Sequence, residues 1–169
     1  MFEFDKETFK TVLHYIIEVC GEQNNVGSTV LYKLMYFIDF DYYELFEEPL
    51  TGETYQKLVY GPGPIHFNEA INELKNEKKI SHHQIKFTKD TYQHRYAALK
   101  PSNITNLSKE QINVIKKVIN RCGHMYAQQI SDYSHEDTPW KATEDAKVID
   151  YELVFYRSPQ FSVRKYDED

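Results

Sequence analysis

Residues 28–49, STVLYKLMYFIDFDYYELFEEP, decide how the rest of the chain is read. Leu31, Leu34, Met35, Ile38, Tyr42 and Leu45 recur at steps of three and four, so they share one face of a helix. Ser28 is placed to cap its start, and Pro49 bounds its end. The other face carries Tyr32, Tyr36, Phe40 and Tyr43 instead of the usual charges. A helix apolar on most sides is either central in a fold or lent to a partner. We expect this one to be central.

Upstream, Phe9, Val12, Leu13, Ile16, Ile17 and Cys20 form a single stripe on a first helix, stopped by Gly21 and the polar run GEQNN. Downstream, Thr51-Gly52 signals a turn, and Tyr55 to Tyr60 is rich in β-formers, which predicts a short strand. Gly61-Pro62-Gly63-Pro64 reads as the turn that ends it, with Pro64 at the first position of a third helix carrying Phe67, Ala70, Ile71 and Leu74. The period then changes to two. Residues 80–99 predict a hairpin turning at Lys89-Asp90, which with the earlier strand would make an antiparallel sheet of about three strands.

Ser108 and Gln111 in SKEQ match a capping box for a fourth helix with Ile112, Ile115, Val118, Ile119 and Cys122 inward. A fifth is expected over Ala127–Tyr133 and a sixth over Lys141–Ala146, before an extended closing segment at 148–157. The class is α+β, predominantly helical, with about five to six helices and a small antiparallel hairpin or sheet. One domain over residues 1–160 is expected, followed by an acidic, solvated and mobile tail at 161–169.

Composition narrows the function. The chain has 169 residues, a formal charge of -6, and 14 Tyr beside 10 Phe and one Trp. No row of Lys and Arg exists to displace counterions; KNEKK at 75–79 is diluted by Asn76 and Glu77, so no direct nucleic-acid partner is expected. The N-terminus lacks a basic-then-apolar signal, and no apolar run reaches membrane-spanning length. Two cysteines, Cys20 and Cys122, fall on inward helix faces and suit a reduced compartment. We expect a cytoplasmic protein without a membrane partner.

Candidate chemistry fails at each point. A phosphate loop needs Lys and Ser or Thr directly after its glycines, whereas His66, Phe67 and Asn68 follow Gly61 to Pro64. His82 and His83 point to opposite faces of a strand, so at most one joins His94, with no Cys or carboxylate at ligand spacing. No metal and no cofactor is expected. SHED at 134–137 holds Ser, His and Asp, but adjacent residues cannot form a proton relay. Asp39, Asp41, Glu47 and Glu48 read as ordinary solvated charges, and no catalytic residue is assigned.

Two stretches resemble a known family. Lys33, Leu34, Met35, Tyr36 and Phe37, then Pro49-Leu50-Thr51 with Glu53, then Tyr60-Gly61-Pro62 and Pro64, look like the signature of the Panacea domain of SocA-like antitoxins. Ile130, Ser131, Ser134, His135 and Trp140 are similar to its second motif, and IDYELVFYR has its look. The resemblance spans roughly residues 8–157.

It implies a mostly helical, non-enzymatic protein that neutralises a cognate toxin, encoded beside it in bacterial, prophage or phage genomes, by direct binding. Two alternatives are an adaptor delivering a toxin to the ClpXP protease and a phage or prophage interaction protein acting on a host factor. Lys33, Tyr60, Gly61, Pro62, Ser134, His135 and Trp140 are family-motif residues expected to hold the fold. The tyrosines fit a protein–protein interface, and Tyr32, Tyr36 and Tyr43 are the expected toxin contacts.

Overall fold

The computed structural model describes residues 2–167. Its elements run α1 (Lys6–Cys20), α2 (Ser28–Phe46), β1 (Tyr55–Leu58), β2 (Gly61–Pro64), α3 (Phe67–Asn76), β3 (Ile80–Lys86), β4 (Tyr92–Ala98), α4 (Lys109–Cys122), α5 (Ala127–His135), α6 (Thr138–Lys141) and a closing 3₁₀ helix (Tyr151–Tyr156). The class is α+β and helix-rich, as expected, with two separate two-stranded antiparallel sheets.

α2 is the central element. Fourteen of its nineteen residues are buried, and it packs against α1, α4, α5, β2, β4 and the 3₁₀ helix. Its missing polar face follows from being surrounded. α1 starts at Asp5, whose carboxylate accepts from the Thr8 N–H (3.0 Å), and buries the predicted stripe from Phe9 to Cys20. α4 starts with the expected capping box: Gln111 N–H donates to Ser108 Oγ (3.0 Å), and Ser108 N–H donates to Gln111 Oε1 (2.8 Å). Val114 replaces Ile112 in its buried stripe.

Several expectations are corrected. Gly61 to Pro64 is itself a strand, paired antiparallel with β1, and the turn is Val59-Tyr60. The prolines are tolerated because Ile65 N–H donates to Thr54 C=O (3.1 Å). Counting back by the strand period of two, Pro62 and Pro64 fall on the phase whose N–H would point away from β1. Pro64 therefore does not begin α3, which starts at Phe67. The hairpin β3–β4 turns where expected but forms its own sheet. β1's other edge is taken by residues 146–149, with Lys57 N–H on Lys147 C=O (2.9 Å) and Ile149 N–H on Tyr55 C=O (2.8 Å).

Ser28 does not cap α2; Gly27 occupies the cap position without a side-chain bond, and the Ser28 hydroxyl meets the Tyr96 hydroxyl at 2.8 Å. The sixth helix lies earlier than expected, at Thr138–Lys141, because Asp137 and Pro139 start it. Residues 151–156 form a 3₁₀ helix, with Asp150 accepting from Glu152 N–H (3.0 Å), where an extended segment was expected. The tail is not free along its described length. Phe161 is buried, and Ser162, Val163 and Tyr166 all donate to Glu44. The last two residues of the expected acidic tail, 168 and 169, lie outside the described residues.

Candidate functional site

The family-motif residues, far apart in sequence, meet where α2, β2 and α5 pack together. Lys33 comes from α2, Gly61 and Pro62 from β2, and Ser134 and His135 from the end of α5. Gly61 has φ of +120°, a conformation L side chains rarely adopt. A Cβ there would lie 2.5 Å from Lys33 Cε and 2.7 Å from Ser134 Oγ. Glycine is required for conformation and for room. Ser134 donates to the Ser131 carbonyl (2.8 Å), and His135 stacks on Trp140 with centroids 4.5 Å apart. Lys57 Nζ lies 4.7 Å from the Trp140 ring centroid.

Lys33 is the unusual member. It is 2 % exposed, and among the described residues no carboxylate lies within ion-pairing distance and no hydrogen bond is made by its ammonium. Its nearest compensation is the Tyr32 ring, 5.7 Å away. Burial lowers its pKa to about 8.

Behind this junction sits a buried acidic network that the sequence reading missed. Asp39 and Asp41, expected to be solvated, are buried, together with Glu44, Glu53 and Asp137; Glu47 and Glu48 are exposed as expected. Arg157 resolves three of these charges: it donates to Asp41 (2.8 Å), Glu44 (3.1 Å) and, through two nitrogens, Asp137 (3.0 and 2.8 Å). Burial alone would lower the Arg157 pKa, but Asp41 and Asp137 outweigh it and hold it well above its ordinary value. Asp39 has no cation. It accepts from Thr51 N–H (2.7 Å), Thr51 Oγ1 (2.6 Å) and the Tyr55 hydroxyl (2.7 Å), and burial raises its pKa to about 6. Glu53 accepts from the His66 backbone N–H (2.8 Å) and lies 2.7 Å from His66 Nδ1. These bonds are inward and complete, and they tie helices to loops.

The expected contact tyrosines are placed differently. Tyr36 is fully buried with its hydroxyl on Asp137 (2.8 Å), and Tyr43 is 2 % exposed with its hydroxyl on Glu152. Both serve the core, because α2 is covered on that side by the 3₁₀ helix and its flanks. Tyr32 is half-buried against Phe67, 4.6 Å between centroids.

Exposed aromatics occur elsewhere. Tyr60, on the β1–β2 turn, is 73 % exposed, and Phe87 and Tyr92, near the tip of the β3–β4 hairpin, are 69 % and 61 % exposed. These three rings border one open groove of about 690 Å³ whose floor is made by the first turns of α2 and α5. The signal was available in the sequence: the strand-to-strand turn and the hairpin tip are where side chains lack a facing neighbour.

His82 Nε2 and His94 Nδ1 meet at 2.8 Å, and no group of three or more His, Cys, Asp or Glu is placed to hold a metal among the described residues. Cys20 and Cys122 are buried thiols, each with its pKa raised by burial to about 11. No helix among the described residues is long and apolar enough to cross a membrane.

The fold combines helices with two hairpins and holds a buried junction of motif residues and an open aromatic groove. Residues 31–141 match the family described as Antitoxin SocA-like, Panacea domain, and the chain belongs to that family. Neither the curated proteins nor the solved structures contain a significant match to it.

Proposed function

We propose that the chain is an antitoxin that neutralises a cognate toxin by forming a complex with it, and that no bond-making step is involved. The observation that carries this reading, within the family, is the cluster of exposed aromatic rings at Tyr60, Phe87 and Tyr92 around one groove. Exposed aromatic side chains of this kind bury large area at low conformational cost and serve as interface anchors. Of the motif residues, Tyr60 and Ser131 line that groove. The toxin contacts are accordingly assigned to the groove rings, with Tyr32 as the remaining candidate on α2.

The net charge of -6 supports faster encounter with a basic partner. The test is to express the adjacent open reading frame with and without this chain. Growth arrest relieved by co-expression, with co-elution of the purified pair, supports the reading; no arrest, or arrest not relieved, overturns it. Rescue that disappears in cells lacking ClpXP would assign the adaptor mechanism instead.

A further inference from the structure

The two small sheets have four outer edges, and three of them are closed. Residues 146–149 cover β1, and Pro62 and Pro64 leave β2 without N–H groups at its outward positions. The β4 carbonyls of His94 and Tyr96 lie against Gly27 and Gly21, where an added Cβ would come within 3.0 and 2.7 Å of them. Among the described residues only the edge of β3 is uncovered. Lys79 C=O accepts from Leu99 N–H (2.8 Å) and Phe87 N–H donates to Thr91 C=O (2.9 Å), so the odd-numbered residues bond across to β4. His82, Gln84 and Lys86 therefore turn their N–H and C=O groups outward, and no backbone group among the described residues meets them.

The arm that carries this edge stands clear of the core. Residues 83–92 are ten consecutive exposed positions, among them Ile85, Phe87 and Tyr92. A two-stranded hairpin is marginal in water without a third strand or a covering helix. Its charge also runs against that of the chain. Residues 78–89 hold Lys78, Lys79, Lys86 and Lys89 and no acid, whereas the whole chain has 26 acidic residues and a formal charge of -6. Lys75 adds a further cation, its Nζ 3.4 Å from His82 Nδ1, on the face that His82, Gln84 and Lys86 share. Lysines on an edge strand repel a second copy of that strand, while opposite charges across a strand pair attract.

We infer that the open edge of β3 pairs with an extended segment of a protein partner that carries Asp or Glu at alternate positions. The segment's backbone bonds to His82, Gln84 and Lys86, its carboxylates stand beside Lys75 and Lys86, and its intervening side chains lie on the face of Ile85. Alternating donors and acceptors at strand spacing suit a peptide; a nucleic-acid phosphate backbone offers acceptors only and leaves the three carbonyls unmet. This surface goes beyond the antitoxin reading, whose assigned contacts lie around the groove on the β4 side of the hairpin.

The test needs no toxin, so its failure leaves the antitoxin reading standing. The full chain is titrated with acetyl-Glu-Val-Glu-Val-Glu-amide, with the matching lysine peptide and with an oligothymidylate, each followed by amide shifts and hydrogen exchange. The acidic peptide should bind at least about tenfold more tightly than the lysine peptide and slow exchange at His82, Gln84 and Lys86. Gln84→Pro removes an outward N–H but no bond to β4, and should abolish the protection at His82 and Lys86. Lys86→Glu, at an exposed position, should weaken the acidic peptide at least about threefold and strengthen the lysine one. Equal affinity for the two peptides, no protection at these amides, binding unchanged by either variant, or tighter binding of the oligonucleotide to the same residues would each overturn the inference.

Discussion

Tyr36 donates its hydroxyl hydrogen to Asp137 at 2.8 Å, joining the central helix to a residue 101 positions later. The same carboxylate is gripped by Arg157, so three remote segments close on one buried group. Removing members of such a set has unequal consequences. Tyr36→Phe leaves Asp137 paired with Arg157 and should lower stability by about 1 kcal/mol. Arg157→Ala leaves Glu44 and Asp137 buried without a cation, with Asp41 still held by Arg121, and should lower it by about 3–5 kcal/mol. Urea unfolding of both variants checks the ratio.

Gly61 should be intolerant of any side chain. Gly61→Ala adds a methyl against Lys33 Cε and Ser134 Oγ at a φ of +120°, combining strain with overlap. A loss on the order of 2–4 kcal/mol is expected. Pairing it with Ser134→Ala should recover only part of that loss, because the backbone strain persists; a full recovery in thermal unfolding would show that crowding alone was responsible.

Asp39 makes stability depend on pH in a particular direction. Its folded pKa of about 6 is above the ordinary value of 3.8, so the folded state holds more protons than the unfolded state between those two values. Stability contributed by this group is full below about pH 4 and is lost as pH rises through about 6. The difference is about 3 kcal/mol. Subtracting the Asp39→Asn stability curve from that of the unaltered chain isolates this slope; equal curves between pH 4 and 7 would remove Asp39 as its source.

The groove rings should separate binding from folding. Phe87→Ala alters an exposed side chain and should change stability by no more than about 0.5 kcal/mol, yet weaken toxin rescue and co-elution. Tyr43→Phe, at a buried hydroxyl bonded to Glu152, should do the reverse, reducing stability with rescue retained at permissive temperature.

Association with a basic toxin should slow as salt is raised. Exposed charges are screened over about 8 Å at physiological ionic strength, so the association rate falls while dissociation changes less. Stopped-flow mixing across a salt series reads this directly, and a flat association rate would dismiss electrostatic steering.

Much of the architecture was legible because it repeats. The stripe from Phe9 to Cys20, the box formed by Ser108 and Gln111, and the alternation from Ile80 to Ala98 are each set by neighbours within a few residues. Gly61 to Pro64 was misread for a local reason: two glycines and two prolines favour a turn, and only a partner strand on the donor side of Gly63 and Ile65 makes an edge strand acceptable. The order of motif residues was enough to point to the family. Their convergence around Gly61 was not contained in any one stretch.

The sequence by itself determined the helical class, the central place of α2 and the scarcity of basic surface, because hydrophobic period and charge are properties of short segments. Tertiary structure alone decided which polar groups face water. Asp39 and Asp41 look solvated along their own helix, yet Thr51 and Arg157 arrive from other segments to bond them, while no acid arrives for Lys33. The physical reason is that desolvation depends on what packs overhead, and that is fixed by contacts far apart in the chain.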